Sequence, residues 1–264
     1  MRDYENAELR VREWCHNIKT MLKTQDITIC TTNQGKVAEF QEIFDNLMQA
    51  NADLASGLKI QNFSRDSFKN LSDKGIYDFD VDETEDTYLG NAALKAIAGA
   101  KAVQGLALAD DSGIEVFALN KAPGIYSGRY LRDPSKGISA LLNEMQAYND
   151  RRVRYVCALV LAEPSGKILF QTQQYWYGEL AYEKHGEQGF GFDPVVYPCL
   201  EEAARKPTSS TLDMALGNNL VTEEFISDYS IDKSRTVAEL SSKEKNSYSH
   251  RFKAVREFLR FLYV

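Results

Sequence analysis

Apolar positions along this chain fall into two rhythms, one of strands and one of helices, and the alternation between them predicts an α/β fold. Residues 4–24 place Leu9, Trp14, Ile18, Met21 and Leu22 at loose helical spacing. They predict an accessory helix, set off as residues 1–25 from a main domain over 26–264. A β-branched run over 27–31 reads as the first strand, and Val37, Phe40, Ile43, Phe44 and Leu47 then line one helix face. Residues 58–63 and 76–81 can be short strands around a polar stretch. An alanine-rich helix follows over 86–104, with Gly105 as its stop. Residues 106–109 read as a buried strand, a DDSG segment interrupts it, and 114–119 resumes it. A Pro/Gly-bearing loop over 121–130 and a helix over 135–148 come next. Two strands over 152–162 and 167–178 flank Glu163-Pro164-Ser165-Gly166, a hairpin signal. The glycine-rich stretch 186–194 predicts a structured loop, and 198–235 an inserted excursion. A terminal helix opens on Ser241-x-x-Glu244, a capping-box pattern.

Composition narrows the function classes. The chain has 264 residues and a net charge of −7, which argues against a surface built to grip nucleic acid. Its four cysteines (Cys15, Cys30, Cys157, Cys199) form no CxxC pair, and its three histidines are scattered. Reduced thiols in a cytoplasmic protein are the simpler reading. No apolar run is long enough to cross a bilayer, and the N-terminus is too charged for a signal peptide, so no membrane partner is expected.

Four polar constellations carry the candidate chemistry. In TTNQGK (31–36), Lys36 and the backbone N–H groups of a helix start make a seat for phosphate. The same residues also read as a plain turn, with Asn33 as cap and Lys36 in solvent. Asp110-Asp111-Ser112-Gly113 follows an apolar strand. Neighbouring strand residues point to opposite faces, so one aspartate can face a ligand and hold Mg²⁺ or orient water while the other ties down the loop. The alternative is an ordinary turn between strands. The acids over 82–86 head the second helix and either compensate its dipole or send one member to a metal beside Asp111. Finally, Phe190-Gly191-Phe192-Asp193 can form a stacking platform for a base, and Lys245 with Ser249-His250-Arg251 can supply donors to a base edge. Equally, Phe190 and Phe192 can be core, and His250 a surface residue of the last helix.

Taken together, these segments resemble the inosine triphosphate pyrophosphatase family, enzymes that remove deaminated purine nucleotides. The resemblance rests on seven motifs in order: TTNQGK (31–36), ETEDTYLGNAALKA (83–96), ADDSG (109–113), PGIYSGRY (123–130), GFGFDP (189–194), TVAEL (236–240) and EKNSYSHR (244–251). It implies an elongated mixed β-sheet flanked by helices, two lobes with the active-site cleft between them, and a homodimer. It implies Mg²⁺-dependent hydrolysis of a purine nucleoside triphosphate to the monophosphate and pyrophosphate.

Carried over by position, Thr31, Thr32, Asn33, Lys36 and Lys95 would bind the triphosphate. Glu83 and Asp111 would hold the metal, with Asp111 also the proton acceptor and Lys36 catalytic beside it. Ser112 would contact the nucleotide. Phe190, Gly191, Phe192 and Asp193 would flank the base, and Lys245, Ser249, His250 and Arg251 would close over it. The chain departs from the family pattern at Thr32, Gly90, Gly128 and Phe252, where glycine, glutamate, alanine and glycine are usual. A pyrophosphatase of other base specificity and a nucleotide sensor without turnover are the alternative readings.

Overall fold

Seven strands make one mixed sheet in the computed structural model, which describes residues 26–54, 67–200, 218–220, 231 and 233–263. The strands are β1 (Ile27–Ile29), β2 (Phe68–Asn70), β3 (Leu106–Val116), β4 (Arg152–Ala162), β5 (Ile168–Leu180), β6 (Val196–Pro198) and β7 (Asn218–Leu220). Their spatial order is β2-β1-β3-β4-β5-β6, with β7 beside β5. The β1 pairings with β2 and β3 are parallel. From β3 to β6 the pairings are antiparallel, so the sheet changes character at β3.

Helices cover both faces. They are α1 (Gln34–Leu54), α2 (Tyr88–Val103), α3 (Ser127–Arg132), α4 (Ile138–Glu144), α5 (Ser242–Tyr248) and α6 (His250–Tyr263). Period-two alternation along β3 separates the packing. Leu106 and Leu108 enter a core with Phe40, Phe44 and Phe258 of α1 and α6. Ala107 and Ala109 enter a second core against the alanines of α2, where small residues let helix and sheet approach closely. At Gly99 of α2 an added Cβ would lie 2.3 Å from Cys30 Sγ. A third core gathers Ile114, Tyr155, Trp176, Phe192 and Val237 around the far half of the long strands. The sheet therefore runs through two lobes, and β3 passes from one into the other.

Several expectations change. The DDSG segment neither ends a strand nor forms a turn: β3 continues unbroken through it, with Asp110 opposite Leu159 and Asp111 opposite Ala158. Polar side chains at a lobe junction interrupt the apolar pattern without interrupting the backbone ladder. Residues 76–81 are irregular, and the short strand beside β1 is β2 instead. Helix α2 stops on Gln104, which takes the left-handed conformation (φ 50°) one residue before Gly105. The loop over 121–130 closes into the short helix α3. The terminal helix is two helices, because Ser249 is extended (ψ 157°) and breaks the run between α5 and α6. The strand expected over 58–63, the accessory N-terminal helix and most of the 198–235 excursion lie outside the described residues. Among the described residues no helix is long and apolar enough to cross a membrane.

Candidate active site

The polar residues singled out by the sequence converge where β3 crosses between the lobes. Asn33 caps α1: its Oδ1 accepts the Lys36 N–H at 3.2 Å, and its own N–H donates to Thr31 Oγ1 at 3.2 Å. That cap turns Lys36 inward, where its ammonium lies 2.9 Å from Asp110 Oδ2 with the side chain only 15% exposed. The alternative of a solvated lysine is thus overturned, while the capping role of Asn33 stands. Thr32 is exposed and points to no described partner.

Asp110 and Asp111 do face opposite sides of the sheet. Asp110 is buried on the α1/α6 side between Lys36 and Arg251, whose Nη2 lies 3.4 Å away. Burial alone would raise its carboxyl, but Lys36, Arg251 and Lys95 outweigh that and hold it far below the usual range. Asp111 faces α2. Its Oδ1 accepts from Lys95 Nζ at 3.2 Å, while its Oδ2 is buried with no hydrogen-bond partner. Burial pushes its carboxyl up, and Lys95 and Lys36 only partly offset this.

Helix geometry explains the Asn-Ala-x-x-Lys spacing before and within this site. Asn91 and Lys95 are four apart and share a face of α2. Asn91 Oδ1 accepts the Glu85 N–H at 3.0 Å and pins the acidic loop, while Lys95 Nζ reaches Glu83 Oε1 at 2.8 Å. Lys95 therefore bridges Glu83 and Asp111. Burial would raise the Glu83 carboxyl, yet the hydrogen bond and charge of Lys95, with Arg129 and Lys36, keep it below its ordinary value. Of the acidic cluster, Glu83 enters the site, paired with Lys95 and Arg129.

On the α6 side, Arg251 is fully buried and donates to Glu39, Asp110 and, at 3.0 Å, Ser112 Oγ. Ser249, buried at the break between α5 and α6, accepts the Phe252 N–H at 3.1 Å through its Oγ and so starts the helix that carries Arg251. Lys245 is buried between Asp193 (2.8 Å) and Glu39 (3.7 Å). Its ammonium also lies 4.6 Å from the Phe190 ring centroid. Sequence reasoning missed Arg129, 3.5 Å from Glu83, and Glu39. Glu39 sits one turn after Lys36, amid an apolar helix face, and a lone acid in that setting was the available signal.

The aromatic pair does not act as a pair. Phe192 is 4% exposed and belongs to the third core beside Tyr130, so its side chain is no base platform. Phe190 turns the other way and lies over the start of α1, 3.1 Å from where a Cβ on Gly35 would be. Gly189 and Gly191 (φ 75° and 65°) make that reversal between neighbouring rings possible. His250 is buried rather than on the surface. It stacks on Tyr155 at 5.1 Å, and desolvation, with Arg251 and Lys245 nearby, holds its imidazole neutral. Its Nδ1 has no partner.

A groove of about 590 Å³ runs along β2 and the Asp26–Ile29 edge, and contains none of these residues. The convergence of five cations and five carboxylates, with orphaned oxygens on both aspartates, marks the β3 crossing as the chemical centre.

Residues 27–220 and 225–261 match the sequence profile of the Ham1 family. A Staphylococcus aureus protein named dITP/XTP pyrophosphatase is 34% identical over 237 residues, covering 88% of this chain and 93% of the relative. The structure of the Staphylococcus aureus Ham1 protein superimposes with a TM-score of 0.60 at 33% identity, over 90% of this chain and 98% of that one. A HAM1 protein from Coxiella burnetii gives 0.61 at 29% identity, over 90% and 98%.

Proposed function

The chain belongs to the Ham1 family, and from that premise we propose that it is a dITP/XTP pyrophosphatase, hydrolysing deaminated purine nucleoside triphosphates to monophosphate and pyrophosphate. The observation that carries the reading is the split pair on β3: one buried aspartate held by Lys36 and Arg251, its neighbour held by Lys95 alone, which it shares with Glu83.

In this reading Thr31, Asn33 and Lys36 seat the polyphosphate on the α1 start, and Lys95 supplies charge from the opposite helix. Asp111 takes the proton from the attacking water. The water oxygen bonds to the α-phosphorus, the bond to the α–β bridging oxygen breaks, and pyrophosphate leaves with that electron pair.

The residues present fit Mg²⁺. Glu83 and Asp111 are bridged by one lysine, and the buried Asp111 Oδ2, with no hydrogen-bond partner, is an oxygen donor able to face a cation. These two carboxylates would hold the ion, leaving its other positions to phosphate and water, and it would neutralise charge on the phosphoryl oxygens. Phe190 and the Lys245–Arg251 segment close the base end. We further place the enzyme in the cytoplasm, as a homodimer that uses the segment 123–130, where Tyr126 is 56% exposed.

Incubating the protein with inosine triphosphate and Mg²⁺ and resolving the products tests the reaction class. Inosine monophosphate and pyrophosphate are expected. Inosine diphosphate with orthophosphate as first products would refute the assignment.

A further inference from the structure

The long antiparallel strands offer one side chain that touches both jaws of the base end. Tyr155 lies on β4, between Ile114 of β3 and Trp176 of β5 in the sheet register. Its ring stacks on His250 at 5.1 Å with an interplanar angle of 11°, and on Trp176 at 5.8 Å. A phenyl ring would serve that packing equally well, so the hydroxyl calls for its own explanation. A buried phenol needs a partner, and this one donates to Asp193 Oδ1 at 3.1 Å.

Asp193 is where the base-end loop is fastened. Its Oδ2 accepts the Phe190 N–H at 2.9 Å and Lys245 Nζ at 2.8 Å. The Tyr155 hydroxyl occupies the remaining oxygen. With donors on both oxygens the carboxylate cannot swivel without losing a charge-assisted hydrogen bond. The loop itself is cut to fit, since a Cβ on Gly189 would lie 2.2 Å from Asp193 Oδ2. A rigid strand at the centre of the sheet thereby sets Asp193. Asp193 sets the Phe190 backbone and the Lys245 ammonium, and the Tyr155 ring sets the plane of His250.

We propose that Tyr155 is a positioning residue for the purine end of the site: its hydroxyl orients the Asp193 carboxylate, and its ring fixes the His250 imidazole, so that the loop and the terminal helices meet the base preformed. This rests on the proposed nucleotide reading. It adds a residue from the sheet, outside the seven motifs, to the determinants of nucleotide affinity. A preformed site loses less freedom on binding, so loosening it weakens ground-state and transition-state binding alike.

The test is Tyr155→Phe, which keeps the ring and removes one oxygen. KM for inosine triphosphate with Mg²⁺ should rise roughly fivefold or more, from the loss of a hydrogen bond to a carboxylate, with kcat within about twofold. In an Asp193→Asn background the same substitution should change KM by less than about twofold, because the hydroxyl acts through that carboxylate. Melting temperature is recorded alongside. A lower melting temperature with unchanged KM would reduce Tyr155 to a core residue, and additive effects with Asp193→Asn would also overturn the assignment. Should the unmodified chain show no turnover, the functional reading fails by itself. The role of Tyr155 is then decided by calorimetric titration with inosine triphosphate and Ca²⁺: a fivefold weaker Kd in the variant supports it, and an equal Kd rejects it.

Discussion

Asp110 and Asp111 share a peptide bond, yet the two faces of the sheet treat them in opposite ways. The α1/α6 face meets Asp110 with Lys36 and Arg251 and holds its carboxyl ionised. The α2 face gives Asp111 a single lysine, already shared with Glu83. Period-two geometry thus separates a charge held by two cations from one held by a single shared lysine over one residue. An alignment of letters would treat the pair as one motif; the sheet makes them members of different networks.

Removing either charge sharpens that contrast. Asp110→Asn leaves Arg251 and Lys36 facing each other with one counter-charge fewer, and breaking a buried pair costs about 3–5 kcal/mol. Urea denaturation should show a loss of that order, and a loss below about 1 kcal/mol would mean the two aspartates are equivalent after all. Asp111→Asn should behave in reverse. Stability at neutral pH should hold or improve, because the ionised carboxylate is held against its preference, while kcat falls by roughly a hundredfold. Pyrophosphate release at saturating substrate reads this directly, and near-native kcat would remove Asp111 as proton acceptor.

Acid titration gives the smallest and most diagnostic signal. Asp110 is depressed below its ordinary 3.8, so its contribution is present above that value and is lost as pH falls through the lower folded one. Asp111 is raised above 3.8, so protonation favours the folded chain, and stability is gained as pH falls through the raised value. Each contributes a slope of at most about 1.4 kcal/mol per pH unit. Urea midpoints between neutral pH and pH 3 should fall less steeply in Asp110→Asn than in the unmodified chain, and more steeply in Asp111→Asn. Parallel curves for all three proteins would end the distinction.

Much of this was legible in the sequence. The alanine spacing of α2, the β4–β5 hairpin and the Ser241–Glu244 capping box all appear in the structure where the residues put them. These are local signals, settled by neighbours within a turn or a hairpin. What escaped depends on contacts distant in sequence. The ladder through DDSG is secured by β4, more than forty residues on, so polar letters there mimic a turn. Phe192 and Phe190 are chemically alike, and only the positive-φ glycines between lobes decide which is core. Ser249 breaks the terminal helix through its extended backbone, which the capping box eight residues earlier does not foretell. Glu39 gains meaning only when α6 brings Arg251 across to it.

Across the site the charges alternate without a gap: Asp193, Lys245, Glu39, Arg251, Asp110, Lys36. For a polyphosphate, such a row is a queue of places already taken. On the proposed reading, seating a phosphate on Lys36 would trade its Asp110 partner for a ligand oxygen. The same trade runs backwards once the anhydride is cut. Pyrophosphate, no longer tethered to the base, then competes for its cations against carboxylates that are covalently present and cannot diffuse off. In the proposed reaction the row of ion pairs would work as a built-in eluent, weakening the first encounter with an anion and helping to clear the severed half of the substrate after each turnover.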